Sequence, residues 1–344
     1  MRHLSVPSKE TARWRDILAE SKWLAIGFGI HNLGKFRGIP LNDDAPSSIE
    51  TFEIVELDPI TTGPNHWTER LDNDLARQYS EYWPMSFDQI GDIIIIKIPE
   101  IIREFSDVIG KAILDQHPKI RSVYADNGIK GDFRVRQLSL ISSHGKPSTL
   151  TKVREHGNEF LVDPTVVYYS PRLANERLKN IESAKNLSLK LGRKIAVCDP
   201  YAGAGPAVVH LAKLDDIIDT IYASDLNPEA VKILRENLPN HEVACEDARN
   251  LRFKHPECCD LLLVNIPHDI MDHLPHLLYL LKKGHEVVIK GWILLKSDKI
   301  KSLEHQLLGL FEGCEIKNLQ INVNKSYSTT EILASIELCL IRPE

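Results

Sequence analysis

After residue 194 the sequence alternates between short apolar runs and segments of helical character, and this alternation constrains the fold more than any other feature. The apolar runs are KIAVCD, TIYASD, HEVAC, DLLLVN and EVVIKGW. Helical segments at about 206–213, 228–238, 270–282 and 298–311 follow four of them. Such an alternation forms a mostly parallel sheet with helices on both faces. Two final runs, CEIKNLQINV and EILASIELCLI, have no helix between them. The pattern therefore predicts an α/β, doubly wound, Rossmann-like sheet with an antiparallel hairpin at its C-terminal edge.

The chain before this sheet divides into two smaller parts. Residues 1–79 contain one helical pattern, KETARWRDILAESKW, followed by irregular stretches punctuated by Gly and Pro, which predicts a small N-terminal unit of unclear role. Residues 80–165 contain the β-branched run GDIIIIKIPE, a helical stripe at 100–118 and further strands, which is typical of a small α+β domain. The third predicted domain spans residues 166–344.

Positive charge is concentrated in the centre of the chain. Residues 1–110 carry 11 Lys and Arg against 18 Asp and Glu, residues 111–194 carry 16 against 8, and residues 195–344 carry 15 against 22. A basic block between acidic flanks favours a polyanionic partner, because Lys and Arg neutralise phosphates. A solvated basic face would give the same counts, so charge alone leaves the two interpretations even.

Several classes of protein are disfavoured by composition. The chain has no stretch of 18 apolar residues, and its N-terminal segment lacks the apolar centre of a secretion signal, so we expect a cytoplasmic protein without a membrane span. The six cysteines have no zinc-type spacing, and Cys198 and Cys339 lie in apolar runs. We therefore expect neither a disulfide framework nor a bound metal. We expect His268, His273 and His276 to lie on the polar face of a helix rather than to bind a metal.

A glycine-containing turn follows the first strand. It reads Asp199-Pro-Tyr201-Ala-Gly203-Ala-Gly205-Pro206. Glycines lack a Cβ and let a ligand approach the backbone closely, and ligands of open α/β folds bind at this carboxyl edge of the sheet. The proline and the missing third glycine distinguish the turn from the dinucleotide-binding fingerprint.

Acidic residues follow the next two strands. Asp225, with Leu226 and Asn227 after it, can accept hydrogen bonds from both hydroxyls of a ribose. Asp247 and Ala248 come one strand later, where a carboxylate can bind an adenine amino group. Each signal alone is weak, because helix caps and turns also place Asp at strand ends. Their succession predicts a nucleoside pocket.

Four motifs, DPYAGAGP, ASDLNPEAV, CEDAR and LLLVNIP, together resemble the class I S-adenosylmethionine-dependent methyltransferases. The resemblance extends upstream to IGDIIIIKIPE, GDFRVRQL and VDPTVVYYSPRLANERL and covers about residues 80–310. Because YYSPRLANER is not a generic element of that fold, the chain resembles in particular the archaeal and eukaryotic tRNA (guanine-N1)-methyltransferases, which act at position 37. The resemblance implies S-adenosylmethionine as cofactor and the tRNA anticodon loop as partner. It leaves the oligomeric state open and is compatible with a monomer.

The resemblance also implies roles for single residues. Glu176 is similar to the family's general base, which removes the guanine N1 proton. Arg136, or otherwise Arg134, is similar to the arginine that polarises the guanine O6. Asn265 and Pro267 match the motif that lines the base pocket. The residues implied to shape the pocket floor are Tyr169, Ser170, Pro171 and Arg172.

The chemistry asks for these roles independently. Guanine N1 holds its proton at neutral pH, and general-base help is worth ~10²–10⁴-fold. A base in a loop can be unstacked and read on its Watson–Crick edge, which favours the nucleic-acid interpretation of the basic block. Plainer alternatives are a surface salt bridge for Glu176, next to Arg177 and four positions after Arg172, and a solvent-facing strand for Arg134 and Arg136.

Three functions stay open at this point. The leading one is methylation of guanosine N1 at position 37 of tRNA. The second is a wyosine-pathway step on the same nucleotide, either aminocarboxypropyl or methyl transfer. The third is a catalytically silent RNA-binding relative. Retention of Asn265 and Pro267 favours methyl transfer.

Overall fold

The computed structural model describes residues 1–131, 133, 135–326 and 331–344, and the side chains of these residues except 297, 301 and 324–326. The strands are β1 (Arg2–Pro7), β2 (His31–Leu33), β3 (Phe36–Pro40), β4 (Glu53–Glu56), β5 (Asp88–Ile90), β6 (Ile93–Ile96), β7 (Ser122–Lys130), β8 (Val135–Ser143), β9 (Thr151–Glu155), β10 (Asn158–Val162), β11 (Ile195–Asp199), β12 (Ile218–Asp225), β13 (Glu242–Cys245), β14 (Leu261–Val264), β15 (Glu286–Lys296), β16 (Glu315–Ser326) and β17 (Glu331–Ile341). The α-helices are α1 (Thr11–Glu20), α2 (Asn73–Gln78), α3 (Ser106–Gln116), α4 (Ala174–Leu191), α5 (Pro228–Asn237), α6 (Leu251–Lys254), α7 (Ile270–Leu277) and α8 (Ile300–Leu310). Short 3-10 helices are Ser8–Glu10, Trp67–Arg70, Glu100–Phe105, Pro171–Leu173, Leu211–Lys213, Ala248–Asn250, Leu278–Leu280 and Ser297–Lys299.

The chain forms two compact units, and the first consists of residues 1–83 and 98–118. Its four-stranded sheet has the order β2-β3-β1-β4. Helix α1 buries Trp14 and Leu18, which lie four positions apart and so on one face. These side chains share a core with Leu4, Val6 and Ile39 of the sheet.

The second unit consists of residues 84–97 and 119–344 and contains the predicted sheets. The first of its sheets has the order β5-β6-β7-β8. All four isoleucines of β6 are buried, as the β-branched run predicts. The predicted helical stripe at 100–118 is present as the 3-10 helix Glu100–Phe105 followed by α3, and both belong to the first unit. The three-domain division stays a prediction.

A seven-stranded sheet forms most of the second unit. Its order is β13-β12-β11-β14-β15-β17-β16. The first five strands are parallel, while β17 runs antiparallel to both β15 and β16. Side chains of β14 alternate between two cores, with Leu261 and Leu263 in one and Leu262 and Val264 in the other. This sheet confirms the predicted doubly wound architecture and its antiparallel C-terminal hairpin.

Two local predictions differ from the structure. Residues 206–213 form turns and a 3-10 helix instead of an α-helix. Val209 and Ala212 donate to carbonyls four residues earlier, so the segment has isolated helical turns without a regular helix. Strand β15 is longer than the apolar run EVVIKGW, since it continues to Lys296 along β17. Packing at Gly291 is close, since an added Cβ would lie 2.8 Å from Ile270 Cδ1.

Among the described residues, no helix has the length and apolar character needed to cross a membrane.

Candidate active site

The predicted cofactor-binding segments lie along one edge of the seven-stranded sheet. Strands β13, β12, β11 and β14 are neighbours and parallel, so their carboxyl ends meet at that edge. Asp199 ends β11, Asp225 ends β12, Asp247 follows β13 and Asn265 follows β14. Parallel pairing thereby brings together residues that are distant in sequence.

The two glycines of the turn after β11 have different tasks. Both have positive φ, +57° at Gly203 and +85° at Gly205, a conformation that favours glycine. A Cβ at Gly205 would lie 2.7 Å from Leu234 Cδ1 of α5, so this position needs glycine for packing. A Cβ at Gly203 would meet only Val167, at 3.9 Å. The open space at Gly203 is therefore where a ligand can approach the backbone. Pro206 follows the turn and is partly buried.

Two carboxylates lie beside this turn, one buried and one partly buried. Asp199 is fully buried and accepts a hydrogen bond from the Tyr201 N–H at 3.1 Å. Asp225 accepts hydrogen bonds from the N–H groups of Gly203, at 2.8 Å, and Asn227, at 2.9 Å. Burial raises the pKa of Asp225, and burial together with the charge of Asp225 raises the pKa of Asp199 to about 7. Two desolvated acidic groups favour a ligand that brings positive charge.

The residues after Asp225 differ in exposure. The side chain of Asn227 is buried and caps α5, because its Oδ1 accepts from the Glu229 N–H at 3.0 Å. Its Nδ2 donates to the Val166 carbonyl at 2.8 Å. Leu226, in contrast, is 57% exposed and presents an apolar surface on which a planar base can pack.

The segment after β13 places a further carboxylate at the edge. Asp247 caps the next 3-10 helix by accepting from the Arg249 N–H at 2.9 Å, and Arg249 Nη2 lies 2.5 Å from its other oxygen. This arginine lowers the pKa of Asp247 to about 2. Ala248 is buried. The Tyr201 hydroxyl and His273 Nδ1 are 2.6 Å apart.

Asn265 and Pro267 continue the chain from β14. The Asn265 Nδ2 donates to Asp199 Oδ2 over 3.5 Å, so the two predicted groups are neighbours. The Pro267 carbonyl accepts a hydrogen bond from the Leu294 N–H at 2.9 Å, which ties the segment after β14 to β15.

A buried polar network lies beneath the segment YYSPRLANER. The Glu155 carboxylate accepts hydrogen bonds from the Tyr169 hydroxyl at 2.5 Å and from Arg177 Nε at 3.0 Å, and it lies 3.2 Å from His210 Nε2. Arg177 also donates to the Ser170 carbonyl at 3.1 Å. Despite desolvation, the hydrogen bonds from His210, Arg177 and Tyr169 lower the pKa of Glu155 to about 2. Tyr169 is thus a buried member of this network, whereas its neighbour Tyr168 is 64% exposed.

Glu176 lies in the first turn of α4. Its side chain is 25% exposed, and its Oε2 lies 2.7 Å from Lys179 Nζ. The salt bridge considered from sequence is thus present, but its partner is Lys179. Arg172, four positions earlier, pairs with Asp88 instead. The predicted base Glu176 is therefore partly accessible at the start of α4. The residue after it, Arg177, is held by the buried network.

Asp88 joins two of the predicted substrate-site residues. Its Oδ2 lies 2.7 Å from Arg136 Nη2, and its Oδ1 lies 3.0 Å from Arg172 Nη2. Arg136 also contacts Asp126 at 3.4 Å and is 21% exposed. A guanidinium has five N–H donors, so these pairs orient Arg136 without using all of them. Arg134, the alternative, lies outside the described residues.

Sequence reasoning missed three groups of residues. Asp88 gave no signal, because its partners lie far along the chain. Glu155 could have been found, since Thr151, Val153 and Glu155 alternate as the buried face of β9, and a carboxylate on a buried face needs partners. The third group is a cluster of thiols: among the described residues, the one set of His, Cys, Asp or Glu that could hold a metal is Cys198, Cys258 and Cys259. Their only sequence signal is the adjacent pair at 258 and 259, which Asp260 separates from β14.

Comparison with known proteins identifies the family. A family model described as TRM5/TYW2 methyltransferase domain matches residues 151–302, and one described as TYW2 N-terminal domain matches residues 67–145. A relative from Pyrococcus abyssi, named tRNA (guanine(37)-N(1))-methyltransferase Trm5b, is 32% identical over 281 residues, which are 78% of this chain and 78% of the relative. The chain belongs to the TRM5/TYW2 methyltransferase family.

Solved structures support the TRM5/TYW2 assignment. The crystal structure of Trm5b from Pyrococcus abyssi has a TM-score of 0.69 and 27% identity, with 99% of each chain covered. The structure of a complex of aTrm5 and tRNALeu has a TM-score of 0.67 and 24% identity, with 99% of this chain and all of that chain covered, and it supports the fold. Membership of the TRM5/TYW2 family confirms the predicted resemblance, the predicted fold class and the prediction of a methyltransferase.

Proposed function

We propose that the chain transfers a methyl group from S-adenosylmethionine to N1 of guanosine 37 in tRNA. The observation that carries the proposal is the row of strand-end groups, Gly203, Asp225 and Asn265, in a chain that is 32% identical to a methyltransferase named for this reaction. We thereby propose for this chain the substrate that the relative's name gives.

The strand-end residues fit S-adenosylmethionine by their chemistry. The cofactor carries a sulfonium and an ammonium group, and the buried Asp199 and the partly buried Asp225 favour a cation. Each carboxylate oxygen of Asp225 accepts one backbone hydrogen bond and has a second lone pair for a ribose hydroxyl. Asp247 accepts from the adenine amino group, and the exposed Leu226 packs against the ring. The bound cofactor supplies an electrophilic methyl group.

Glu176 accepts the guanine N1 proton in this proposal. Removing that proton turns N1 into a nucleophile, and general-base help of this kind is worth ~10²–10⁴-fold. Support comes from the place of Glu176 in the first turn of α4, where it is partly accessible and pairs with a lysine rather than with a buried group. Lys179 can keep the carboxylate in position until the base arrives.

Arg136 donates to the guanine O6 in this proposal. Negative charge develops on that oxygen as N1 loses its proton, and a preoriented donor stabilises it. Asp88 and Asp126 orient the guanidinium and leave further N–H donors for the base. Asn265 and Pro267 line the base pocket, and Tyr169, Ser170, Pro171 and Arg172 shape its floor.

The RNA partner is proposed from charge and from relatives. Residues 111–194 carry 16 Lys and Arg against 8 Asp and Glu, which suits the phosphates of an anticodon loop. The solved relative described as a complex with tRNALeu has the same fold. We also propose that the reaction takes place in the cytoplasm.

The test uses unmodified tRNA and two forms of labelled cofactor. We expect label from the methyl carbon of S-adenosylmethionine to appear in N1-methylguanosine from transcripts with G37, and not from matched transcripts with A37. Label in the carboxyl group of the cofactor stays out of the RNA. Incorporation of the carboxyl label instead would establish aminocarboxypropyl transfer, and absence of both labels at saturating tRNA would establish a silent relative.

A further inference from the structure

Three cysteines meet beneath the cofactor edge of the seven-stranded sheet. The sulfur atoms of Cys198, Cys258 and Cys259 all lie within 4.8 Å of one another. Cys198 and Cys259 are buried, whereas Cys258 is half-buried. Cys198 is on β11, one residue before Asp199, and Cys258 and Cys259 are separated from the start of β14 by Asp260. The cluster therefore joins β11 to the segment that leads into its neighbouring strand β14.

We propose that Cys198, Cys258 and Cys259 bind a zinc ion. Zinc prefers thiolate and imidazole ligands, and Zn–S bonds of about 2.3 Å place the sulfurs of a tetrahedral site about 3.8 Å apart. The observed cluster meets this spacing with small side-chain movements. The proposal is independent of the tRNA reaction.

His255 is the candidate for a fourth ligand, because it lies in the same region as the cluster. His255 and Cys198 both line a cavity of about 50 Å³, and the His255 ring packs against Tyr222 with centroids 5.2 Å apart. Three cysteines and one histidine form a common structural zinc set. His255 is not part of the set of groups within 4.8 Å of one another, so its ring would move towards the three sulfurs to become the fourth ligand.

The positive charge of a zinc ion would offset the cost of turning buried thiols into thiolates. The Cys259 thiol donates to the Leu280 carbonyl over 3.3 Å, and that carbonyl also accepts from the Cys259 backbone N–H at 3.0 Å. Zinc binding would end the thiol hydrogen bond, whereas the bond from the backbone N–H would remain. Binding releases up to one proton from each thiol to the solvent and involves no oxidation or reduction.

A zinc ion here would connect β11 to the segment before β14, and both strands lead to residues of the proposed active site. Cys198 precedes Asp199, and β14 leads from Cys259 to Asn265. Asn265 donates to Asp199, so both ends of this contact are attached to proposed ligand strands. We expect zinc to stabilise the fold and to hold this contact in register.

The test measures metal content and spectra on the full chain, purified without a polyhistidine tag. We expect about one zinc per chain in the wild type and a loss of most of it in Cys258→Ser. Of the three cysteines Cys258 is the one that is only half-buried, so its replacement disturbs the fold least. Cys314→Ser is the matched control, because Cys314 is also half-buried but lies outside the cluster, and it should keep the zinc. Cobalt in place of zinc should give thiolate charge-transfer bands in the wild type and the control.

A second readout needs no variant. Chelation of the wild type should increase the number of thiols that react with Ellman's reagent in the folded protein and lower its Tm, and added zinc should reverse both. The proposal is overturned if the wild type holds no more zinc than Cys258→Ser, or if cobalt gives no thiolate bands. It is equally overturned if mass analysis of freshly purified protein finds a disulfide between two of the three cysteines.

Discussion

Arg177 and Glu155 form a buried ion pair, with Arg177 Nε 3.0 Å from Glu155 Oε2. Because Arg177 directly follows Glu176, this pair fixes the first turn of α4 and with it the residue that we propose as general base. Arg177 also lies over the Tyr169 ring, 5.3 Å from its centroid. The buried Arg177 thus stabilises the first turn of α4 through its ion pair with Glu155, while the side chain of Glu176 stays partly accessible.

Glu155→Gln should lower the free energy of unfolding by about 3 kcal/mol at neutral pH, since it leaves a buried arginine without its counter-charge. The pKa of Glu155 is lowered from 4.5 to about 2 in the folded chain. The stabilisation is therefore present above pH 4.5 and lost as the pH falls towards 2. Urea unfolding at neutral pH and at about pH 3 should show the difference from wild type shrinking.

The control for this variant is Glu159→Gln, whose exposed carboxylate lies 3.9 Å from Lys152 Nζ. An exposed pair at that distance contributes little, so unfolding should match the wild type at both pH values. If Glu155→Gln behaved like this control, the buried network would not stabilise α4.

Asp225→Asn should weaken S-adenosylmethionine binding about 10- to 100-fold, because a hydrogen bond to a charged acceptor is worth about 1.5–3 kcal/mol. Isothermal titration calorimetry measures the effect directly. Asp219→Asn is the matched control, on the exposed face of the same strand, and its affinity should not change. Equal affinities for both variants would remove Asp225 from the ribose site.

The two glycines of the cofactor turn should respond differently to alanine. Gly205→Ala places a Cβ 2.7 Å from Leu234 and should destabilise the fold by about 1–3 kcal/mol. The Cβ of Gly203→Ala would contact only Val167, at 3.9 Å. We therefore expect this variant to weaken cofactor binding more than it destabilises the fold. Thermal unfolding and calorimetry on both variants separate the two tasks. A lower Tm for Gly203→Ala than for Gly205→Ala would reverse our assignment.

Arg136→Lys should lower kcat by about 10-fold or more, because a lysine cannot reproduce the forked contacts that orient the guanidinium. Asp88→Asn should also lower kcat, because Asp88 orients Arg136 and Arg172, which we propose for the substrate side of the site. The affinity for S-adenosylmethionine should stay as in the wild type. Steady-state kinetics with unmodified tRNA distinguishes these effects. An unchanged kcat in both variants would exclude Arg136 as the O6 donor.

The parallel sheet and its functional edge could be predicted because their signals are local. Strand-length apolar runs predict β11 to β15, and the residues directly after them include Asp199, Asp225 and Asn265. The carboxyl ends of parallel strands share one edge of a sheet, whereas the order of the strands along that edge, with β11 between β12 and β14, comes from the structure. The segment 206–213 escaped prediction because its apolar pattern suits isolated helical turns, such as those at Val209 and Ala212, as well as a regular helix.

The supporting contacts could not be predicted, because they join distant segments. Arg172 meets Asp88 across 84 positions, and Cys198 meets Cys258 through the pairing of β11 with β14. No spacing rule connects such residues. Glu155 is intermediate, since its inward position follows from the alternation in β9, whereas its partners on α4 and at His210 do not.

The most direct test of the account is single-turnover methyl transfer to unmodified tRNA with G37, with the product located at guanine N1. We predict that Glu176→Gln slows this step by ~10²–10⁴-fold while tRNA and cofactor affinities stay as in the wild type. Glu182→Gln, an exposed glutamate on the same helix, should react at the wild-type rate. Transfer by Glu176→Gln at the wild-type rate, or a methyl group at any atom other than N1, would contradict the account.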